Sequence, residues 1–274
     1  MKDCPLCGAE AAPLLPGLPE CRHCGLAFRE DRFFGDPVYG EGLADGIYGS
    51  SKEKLFSAAL DRLEAALPEK GRLLDIGCAS GGFMKAAAAR GWRPEGVELN
   101  PALALKAVGL GFQVESRPVE EAGLDRGGYD AASVLEVFCL MDKPAAAAAE
   151  LFRLLKPGGM IYIREFNAAF HLPLARLEAA GAFRPLGLRP SVLHNFNFRA
   201  RTLRRLLEDA GFADVEVRNS PPTAGDPYRT GGALGTFLTR GLKVLYYRLA
   251  QALWVVSLGR VFAGSALIVT ARKR

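Results

Sequence analysis

The stretch that most constrains this chain reads Leu73-Leu74-Asp75-Ile76-Gly77-Cys78-Ala79-Ser80-Gly81-Gly82-Phe83. A short apolar run ends near an acid and continues into a loop of small residues, after which a helical pattern begins. Small residues let a ligand approach the backbone closely, and a helix start offers free N–H groups. We therefore predict a strand, a ligand-binding loop and a helix; the alternative is the same turn without a ligand.

A second acid, Glu98, stands at the end of the next apolar run, where a carboxylate can accept hydrogen bonds from two ribose hydroxyls. Two cofactors fit this arrangement. A dinucleotide needs a glycine turn for its pyrophosphate, and Gly77, Ala79 and Gly82 form an imperfect version of that turn. S-adenosylmethionine (SAM) has no phosphate but carries an ammonium group, which Asp75 suits. The position of Asp75 favours SAM.

From about residue 52 onward, short β-rich runs alternate with helical patterns, which is typical of a parallel sheet covered on both faces. We expect Pro157-Gly158-Gly159 to end the helix that precedes the fifth strand. Strands are predicted at residues 72–76, 94–99, 112–115, 130–135, 160–164, 213–218 and 265–271, and helices at 82–90, 102–109, 144–155 and 202–210.

Four of the six cysteines form two C-x2-C pairs, Cys4 with Cys7 and Cys21 with Cys24, and each pair is followed by glycine. Two such turns can close a tetrahedron of thiolates around zinc, and four protein ligands make that zinc structural. Redox pairs or disulfides are the alternatives. His23 could compete as a ligand or be a solvated neighbour. No signal peptide precedes the cysteines, so we expect a reduced, cytoplasmic protein.

The chain has 274 residues, 49% hydrophobic and 24% charged, which excludes disordered, collagen-like and disulfide-scaffold classes. Its net charge of +5 is uneven: residues 184–274 carry 15 Lys and Arg against 5 Asp and Glu. A basic C-terminal third indicates an anionic partner or substrate, and the alternative is a solvated basic face.

Four stretches, in order, resemble the class I SAM-dependent methyltransferases: residues 74–81, 96–101, 129–137 and 154–159. The resemblance implies a seven-stranded Rossmann-like sheet with an antiparallel last strand, flanked by helices, over residues 52–274. Substrate-side insertions are expected at about 166–200 and 219–262. A zinc ribbon over residues 1–30 and a linker over 31–51 are similar to a bacterial subgroup that acts on sugars, glycolipids or small metabolites.

The resemblance also implies roles for individual residues. Asp75, Gly77, Ala79 and Gly81 would surround the methionine end of SAM, Glu98 would hold the ribose, Leu99 would pack on the adenine with Val119 and Glu120 near its amino edge, and Leu135 would lie beside the sulfonium. Tyr39 or Tyr48 would close over the carboxylate; the alternative for each is a packed linker aromatic. Two positions depart from the family pattern: Ala79 replaces the middle loop glycine, and Glu136-Val137 replaces a frequent Glu-His.

Substrates in this fold class bind beyond the C-terminal ends of the strands. His171 and His194 lie in the insert after the fifth strand and are the general-base candidates, with structural or substrate-contacting roles as the alternative. No stretch is convincing as a membrane span, since Arg260 interrupts the most apolar one. Residues 236–262 include a helical apolar pattern, which predicts either a packed helix or lid, or a peripheral membrane contact.

We predict an enzyme that transfers a methyl group from SAM to a small-molecule or glycan acceptor, phosphorylated or lipid-linked. The first alternative is an RNA methyltransferase that uses the ribbon and the basic C-terminal third together. A second alternative, from another class of protein, is a non-enzymatic zinc-ribbon adaptor with a vestigial loop.

Overall fold

The computed structural model describes residues 2–32, 52–187, 189–222 and 232–274. The chain divides into two compact units, each built from separate stretches. The ribbon unit comprises Met1–Phe33, Arg164–Leu203 and Val217–Ile268, and the loop unit comprises Phe34–Ile163, Arg204–Glu216 and Val269–Arg274. The predicted linker of residues 31–51 falls almost entirely outside the described residues.

The strands of the described residues are numbered in chain order. They are β1 (Lys2–Asp3), β2 (Glu10–Leu15), β3 (Leu18–Cys21), β4 (Ala27–Phe28), β5 (Arg72–Ile76), β6 (Arg93–Val97), β7 (Gln113–Glu115), β8 (Tyr129–Leu135), β9 (Leu155–Phe166), β10 (Phe196–Asn197), β11 (Ala213–Asn219) and β12 (Ala266–Arg272).

The helices are α1 (Glu53–Ala66), α2 (Gly82–Ala89), α3 (Pro101–Gly109), α4 (Pro144–Leu154), α5 (Ala168–Ala179), α6 (Ala200–Asp209) and α7 (Gly232–Val256), with a 3-10 turn at Arg184–Leu186. Within the described part of the chain, none of these helices has the length and apolarity needed to cross a bilayer.

The large sheet has the strand order β11-β12-β9-β8-β5-β6-β7. β5 pairs in parallel with β6 and β8, and β6 pairs in parallel with β7. The Gly158 amide donates to the Lys273 carbonyl at the start of β9, and the Asn167 amide donates to the Ser265 carbonyl just past its end. β12 therefore runs antiparallel to β9, and the predicted seven-stranded Rossmann-like sheet is confirmed.

The register of the central strands brings their carboxyl ends to one level. Ile76, the last residue of β5, lies opposite Val97 on one side and Val134 on the other. Leu73 and Leu74 of β5 are fully buried, as expected for a strand covered on both faces. The residues that follow these strands emerge together at the edge where this fold class binds ligands.

Local sequence explains where the neighbouring helices begin. The Asn100 side chain accepts hydrogen bonds from the Ala102 and Leu103 amides, and Pro101 takes the first position of α3. Pro144 likewise begins the alanine-rich α4. Both prolines occupy a position whose N–H would have no partner within the helix.

The fifth strand of the large sheet is longer than predicted. β9 starts at Leu155, immediately after α4, so Pro157-Gly158-Gly159 lie inside the strand rather than between helix and strand. Lys273 pairs with this start, through bonds from the Gly158 amide and to the Gly159 carbonyl. The prediction of 160–164 was wrong in length because these residues pair with the end of the chain, which no local pattern reports. Gly158 does so with a left-handed φ of +81°.

Candidate functional site

The loop after β5 uses left-handed backbone at three of its positions. Gly77, Ala79 and Gly81 have φ values of +67°, +47° and +84°, and Gly81 is the N-cap of α2. This conformation favours glycine and is uncommon for alanine. The loop therefore keeps the shape expected from its small residues even where alanine replaces glycine.

Close packing around the loop explains one glycine of the loop, Gly77, and one of the neighbouring strand β6, Gly96. A Cβ on Gly77 would lie 2.5 Å from Val137 Cγ2, and a Cβ on Gly96 would lie 2.5 Å from Cys78 Sγ. Cys78 is buried in one cluster with Met84 and Ala107. The loop is thus supported by the turn after β8 on one side and by an apolar cluster on the other.

Asp75 lies in β5, two residues before the loop, and is almost fully buried. Its Oδ1 accepts a hydrogen bond of 2.7 Å from the Ser133 hydroxyl. Burial, together with the nearby Glu98 charge, raises the pKa of the Asp75 carboxyl to about 7, although the Ser133 hydrogen bond acts to lower it. A buried acid that titrates near neutrality is characteristic of a functional site.

Glu98 connects the loop to the strand beside it. Its Oε2 accepts a bond of 2.9 Å from the Ala79 amide, and its Oε1 accepts one of 2.8 Å from the Asn100 amide. Burial raises the pKa of this carboxyl, whereas the two backbone amides lower it. Each carboxylate oxygen can accept a further hydrogen bond, such as one from a ribose hydroxyl. The adjacent Leu99 is 58% exposed and offers an apolar surface for a flat ring.

The other predicted cofactor residues lie around this edge or outside the described residues. Leu135 is the last residue of β8, whose neighbour in the sheet is β5. Val119 and Glu120 follow β7; Val119 is buried and Glu120 is half-buried. Tyr39 and Tyr48 lie outside the described residues.

The two candidate bases are buried in the ribbon unit but differ in their contacts. His171 Nε2 lies 3.0 Å from the Ser265 carbonyl, and its Nδ1 accepts from the Val192 amide at 3.2 Å. His194 Nε2 has no hydrogen-bond partner among the described residues. Burial lowers the pKa of each imidazole to about 4. Both ring nitrogens of His171 therefore have partners, whereas the buried Nε2 of His194 has none among the described residues.

The cysteine pairs come together as the spacing predicts. Ligand atoms of Cys4, Cys7, Cys21 and Cys24 all lie within 4.8 Å of one another. Two sulfur pairs, Cys4 with Cys24 and Cys7 with Cys21, are 3.5 and 3.6 Å apart. Tetrahedral zinc with bonds of about 2.3 Å places its sulfurs about 3.8 Å apart, so the cluster fits zinc after small shifts. His23 is exposed beside it and is not part of the cluster.

β1 to β4 form a small sheet, with β10 as its fifth strand, and pack against other parts of their own unit. β10 adds to β4 in antiparallel register, with Phe196 opposite Phe28. The Thr202 hydroxyl donates to the Cys24 carbonyl at 2.8 Å, and Arg199 pairs with Glu20 at 2.7 Å. The edge of the small sheet is therefore covered by residues that follow the 3-10 turn.

Sequence reasoning missed two side chains at the loop edge. Ser133 is a polar residue inside an otherwise apolar strand, which was a readable signal of a buried partner. Lys52 pairs with Glu136 at 2.9 Å, and this contact joins residues 84 positions apart. Because no pattern reports pairing over such a separation, sequence alone could not have found it.

Comparisons with known proteins agree with this geometry. Residues 48–217 match the family described as "Methyltransferase domain". The chain is 31% identical over 189 residues to the S-adenosyl-L-methionine-dependent Diels-Alderase iliD of Neonectria sp. (strain DH2), covering 64% of this chain and 71% of that protein. It is 28% identical over 167 residues to the ubiquinone biosynthesis O-methyltransferase of Burkholderia pseudomallei (strain 1710b), covering 56% and 69%.

A solved structure shares the fold. Phosphoethanolamine N-methyltransferase 2 of Haemonchus contortus, in complex with S-adenosyl-L-methionine, matches with a TM-score of 0.59 at 19% identity. The match covers 84% of this chain and 55% of that one. At this identity the likeness concerns the fold alone.

Proposed function

Because this chain belongs to the methyltransferase domain family and is a SAM-dependent methyltransferase, we propose that it methylates a small-molecule or glycan acceptor, lipid-linked or phosphorylated, at a membrane surface. Family membership removes the alternative of a non-enzymatic adaptor. The ubiquinone biosynthesis relative is named for a small-molecule pathway, which supports a small acceptor over a macromolecular one.

The observation that carries the membrane part of this proposal is an apolar stripe on α7. At about 100° per residue its side chains fall within an arc of about 80°. All of them are exposed, Leu249 to 61% and Val256 to 81%. The apolar stripe consists of Leu242, Leu245, Leu249, Leu253 and Val256. Contiguous exposed apolar surface marks a site of interaction with protein or membrane.

The face of α7 beside the stripe is held within the ribbon unit. Tyr246 donates to the Ala263 carbonyl, and Asn219 Nδ2 donates to the Ala250 carbonyl at 3.2 Å. The Arg218 guanidinium lies 5.7 Å from the Trp254 ring centre. These contacts hold α7 so that the apolar stripe stays exposed.

Charge favours a lipid surface over a second copy of the chain. Residues 227–262, which include α7, contain five Lys and Arg and no Asp or Glu. In a symmetric dimer through the stripe, the same basic segment would face itself without carboxylates of its own to pair with. An anionic bilayer supplies the missing negative charge, and basic residues beside an apolar helix face are typical of interfacial helices.

An RNA acceptor is the weaker alternative, because some of the described arginines of the basic third form ion pairs within the chain. Arg199 pairs with Glu20, Arg205 with Asp209 and Arg274 with Asp214. The small sheet has its β4 edge covered by β10. Arginines in such pairs are less available to phosphates than free ones.

At the reaction centre, bound SAM supplies a methyl group activated by a cationic sulfur. Asp75 and Glu98 are proposed to hold its ammonium and its ribose, with Gly77, Ala79 and Gly81 giving it close access to the backbone. Such positioning contributes much of the rate of a displacement reaction. For a hydroxyl acceptor His194 stays the proposed proton acceptor, on the ground of its position in the insert after β9. His171 then has a structural role.

The four-cysteine cluster is proposed to hold a structural zinc ion, which takes no chemical step. Thiolate ligation of this kind requires a reducing compartment, so we propose a cytoplasmic protein that binds the inner membrane face peripherally.

A screen with methyl-labelled SAM tests the acceptor class. Pooled metabolites, glycans, lipid extracts in vesicles and total RNA are offered to the full chain, with Asp75→Ala as the blank. We expect label in a lipid or small-molecule fraction and a product heavier by one methylene. His194→Asn is expected to lower kcat with little change in Tm, and His171→Asn to lower Tm. Label found in RNA alone, or retained by the Asp75→Ala blank, would contradict the proposal.

A further inference from the structure

A buried ion pair joins the start of α1 to the turn after β8. Lys52 Nζ lies 2.9 Å from Glu136 Oε2, and the two side chains are only 7% and 13% exposed. Lysine is almost never fully buried without a partner, and taking two charges out of water is costly. Such a pair is weak evidence for stability by itself. Its position beside the glycine loop is therefore what indicates a role.

The backbone of Glu136 is also unusual. Its φ is +66°, a left-handed conformation that is uncommon in residues other than glycine. Such a conformation persists only where surrounding contacts hold it, and it clusters at functional sites. The Leu140 amide closes the turn onto the Val137 carbonyl at 2.9 Å, and Cys139 Sγ contacts the Glu136 carbonyl at 3.5 Å.

This turn bears directly on the glycine loop. Val137 follows Glu136 and packs where a side chain on Gly77 would be, with its Cγ2 2.5 Å from the ideal Cβ position. Any change in the Glu136 backbone would therefore move Val137 against or away from Gly77. On the other side of the pair, α1 packs on α2, with the Phe56 and Phe83 rings 5.5 Å apart.

We propose that Lys52 and Glu136 are positioning residues for SAM binding. The Lys52 ammonium holds the Glu136 carboxylate, which fixes the left-handed turn and seats Val137 against Gly77, and this keeps the loop in the shape that the cofactor needs. The inference depends on SAM as the cofactor and is independent of the acceptor, so it can be tested without knowing the acceptor.

Calorimetric titration of the full chain with SAM tests the proposal. Lys52→Met and Glu136→Gln are each expected to weaken SAM binding about tenfold, the effect of losing one charged hydrogen bond. Lys52→Arg keeps the pairing and should stay within about threefold of the parent. The double variant should lose less affinity than the product of the two single losses, because both changes remove the same ion pair.

The matched control is Lys156→Met. Lys156 also pairs with a carboxylate of β8, at 2.7 Å from Asp130 Oδ1, but near the strand's opposite end. We expect this variant to bind SAM like the parent, whatever its loss in Tm. Glu136→Gln keeps the side-chain volume, so it remains measurable if Lys52→Met does not fold.

Three results would overturn the proposal. They are unchanged SAM affinity in Glu136→Gln, failure of Lys52→Arg to restore binding, and an equal loss in Lys156→Met. The last result would mean that the ion pair contributes stability alone.

Discussion

Asp75 makes SAM binding depend on pH. Without cofactor, burial raises the pKa of its carboxyl to about 7, so the acid is largely protonated below neutrality. An ammonium group binds the ionised form, and SAM affinity is therefore expected to rise with pH up to about 7, by at most about tenfold per pH unit. Calorimetric titration between pH 5.5 and 7.5 measures this slope, and Asp75→Asn should bind weakly with no slope.

Two neighbouring side chains give opposite controls for the Asp75 titration. Ser133→Ala removes a hydrogen bond that lowers the pKa of Asp75, so the transition should move to higher pH. Glu98→Gln removes a like charge, so the transition should move to lower pH, although ribose binding also weakens.

The cofactor-free protein should lose stability as pH rises from about 4 through 7, because the raised pKa belongs to the folded state. A parent slope that survives in Asp75→Asn would assign the titration to another group.

The residue-scale features that sequence could predict are those fixed by their position on a strand. Asp75 and Glu98 were recognisable because each acid stands at the end of an apolar run that leads to the same sheet edge. The raised pKa of Asp75 was not recognisable, since it results from complete burial beside Ser133 of another strand. Likewise, the hydrogen bonds that distinguish His171 from His194 could not be predicted. They come from Val192 and Ser265, which are both distant from His171 in sequence.

At the scale of elements, the strands of the small sheet should depend on the proposed zinc ion. β1 to β4 are short, and their buried residues form a small cluster that includes Leu18 and Ala27 packed on Ala168 and Leu172 of α5. Small sheets of this size usually need a metal for stability. We expect one zinc per chain by elemental analysis, lost in Cys4→Ser, with faster amide exchange over β2, β3 and β10.

Cys78→Ser and Cys139→Ser are the matched controls for this loss of zinc. Both cysteines are buried but lie outside the cluster. They should keep the metal and the slow exchange of the strands of the small sheet. Zinc retained by Cys4→Ser, or lost equally in the controls, would be inconsistent with a four-cysteine site.

Elements whose apolar residues recur at regular spacing were predictable, and elements held by pairing with distant residues were not. The strand and helix alternation from β5 to α4 follows from apolar spacing, and the structure reproduces it within a few residues. α5 was missed because Pro173 lies inside it and because its start is set by Asn167, which caps it and also binds the carbonyls of Phe262 and Gly264. β10 has two residues and exists through pairing with β4.

For the molecule as a whole, the distribution of charge and apolar surface indicates how it meets its surroundings. The chain carries its positive surplus in its C-terminal third, where the apolar stripe of α7 is also exposed. Burying an exposed leucine is worth about 1.5–3 kcal/mol, and a basic residue near an anionic bilayer contributes about 1 kcal/mol. These two contributions together predict reversible binding that requires both apolar contact and negative lipid.

Vesicle flotation of the full chain tests this binding. We expect recovery with vesicles that contain phosphatidylglycerol, weak recovery with phosphatidylcholine alone, and release by salt because the charges are screened. A Leu245→Glu/Leu249→Glu variant should lose binding by more than about tenfold. Leu105→Glu is the control, since Leu105 on α3 is 70% exposed but far in sequence from the basic segment. Sedimentation of the same variants tests whether a second copy of the chain, rather than lipid, covers the stripe. If the parent is a dimer that Leu245→Glu/Leu249→Glu dissociates, the stripe binds a second copy. That result, or flotation that does not depend on lipid charge, would contradict the membrane contact.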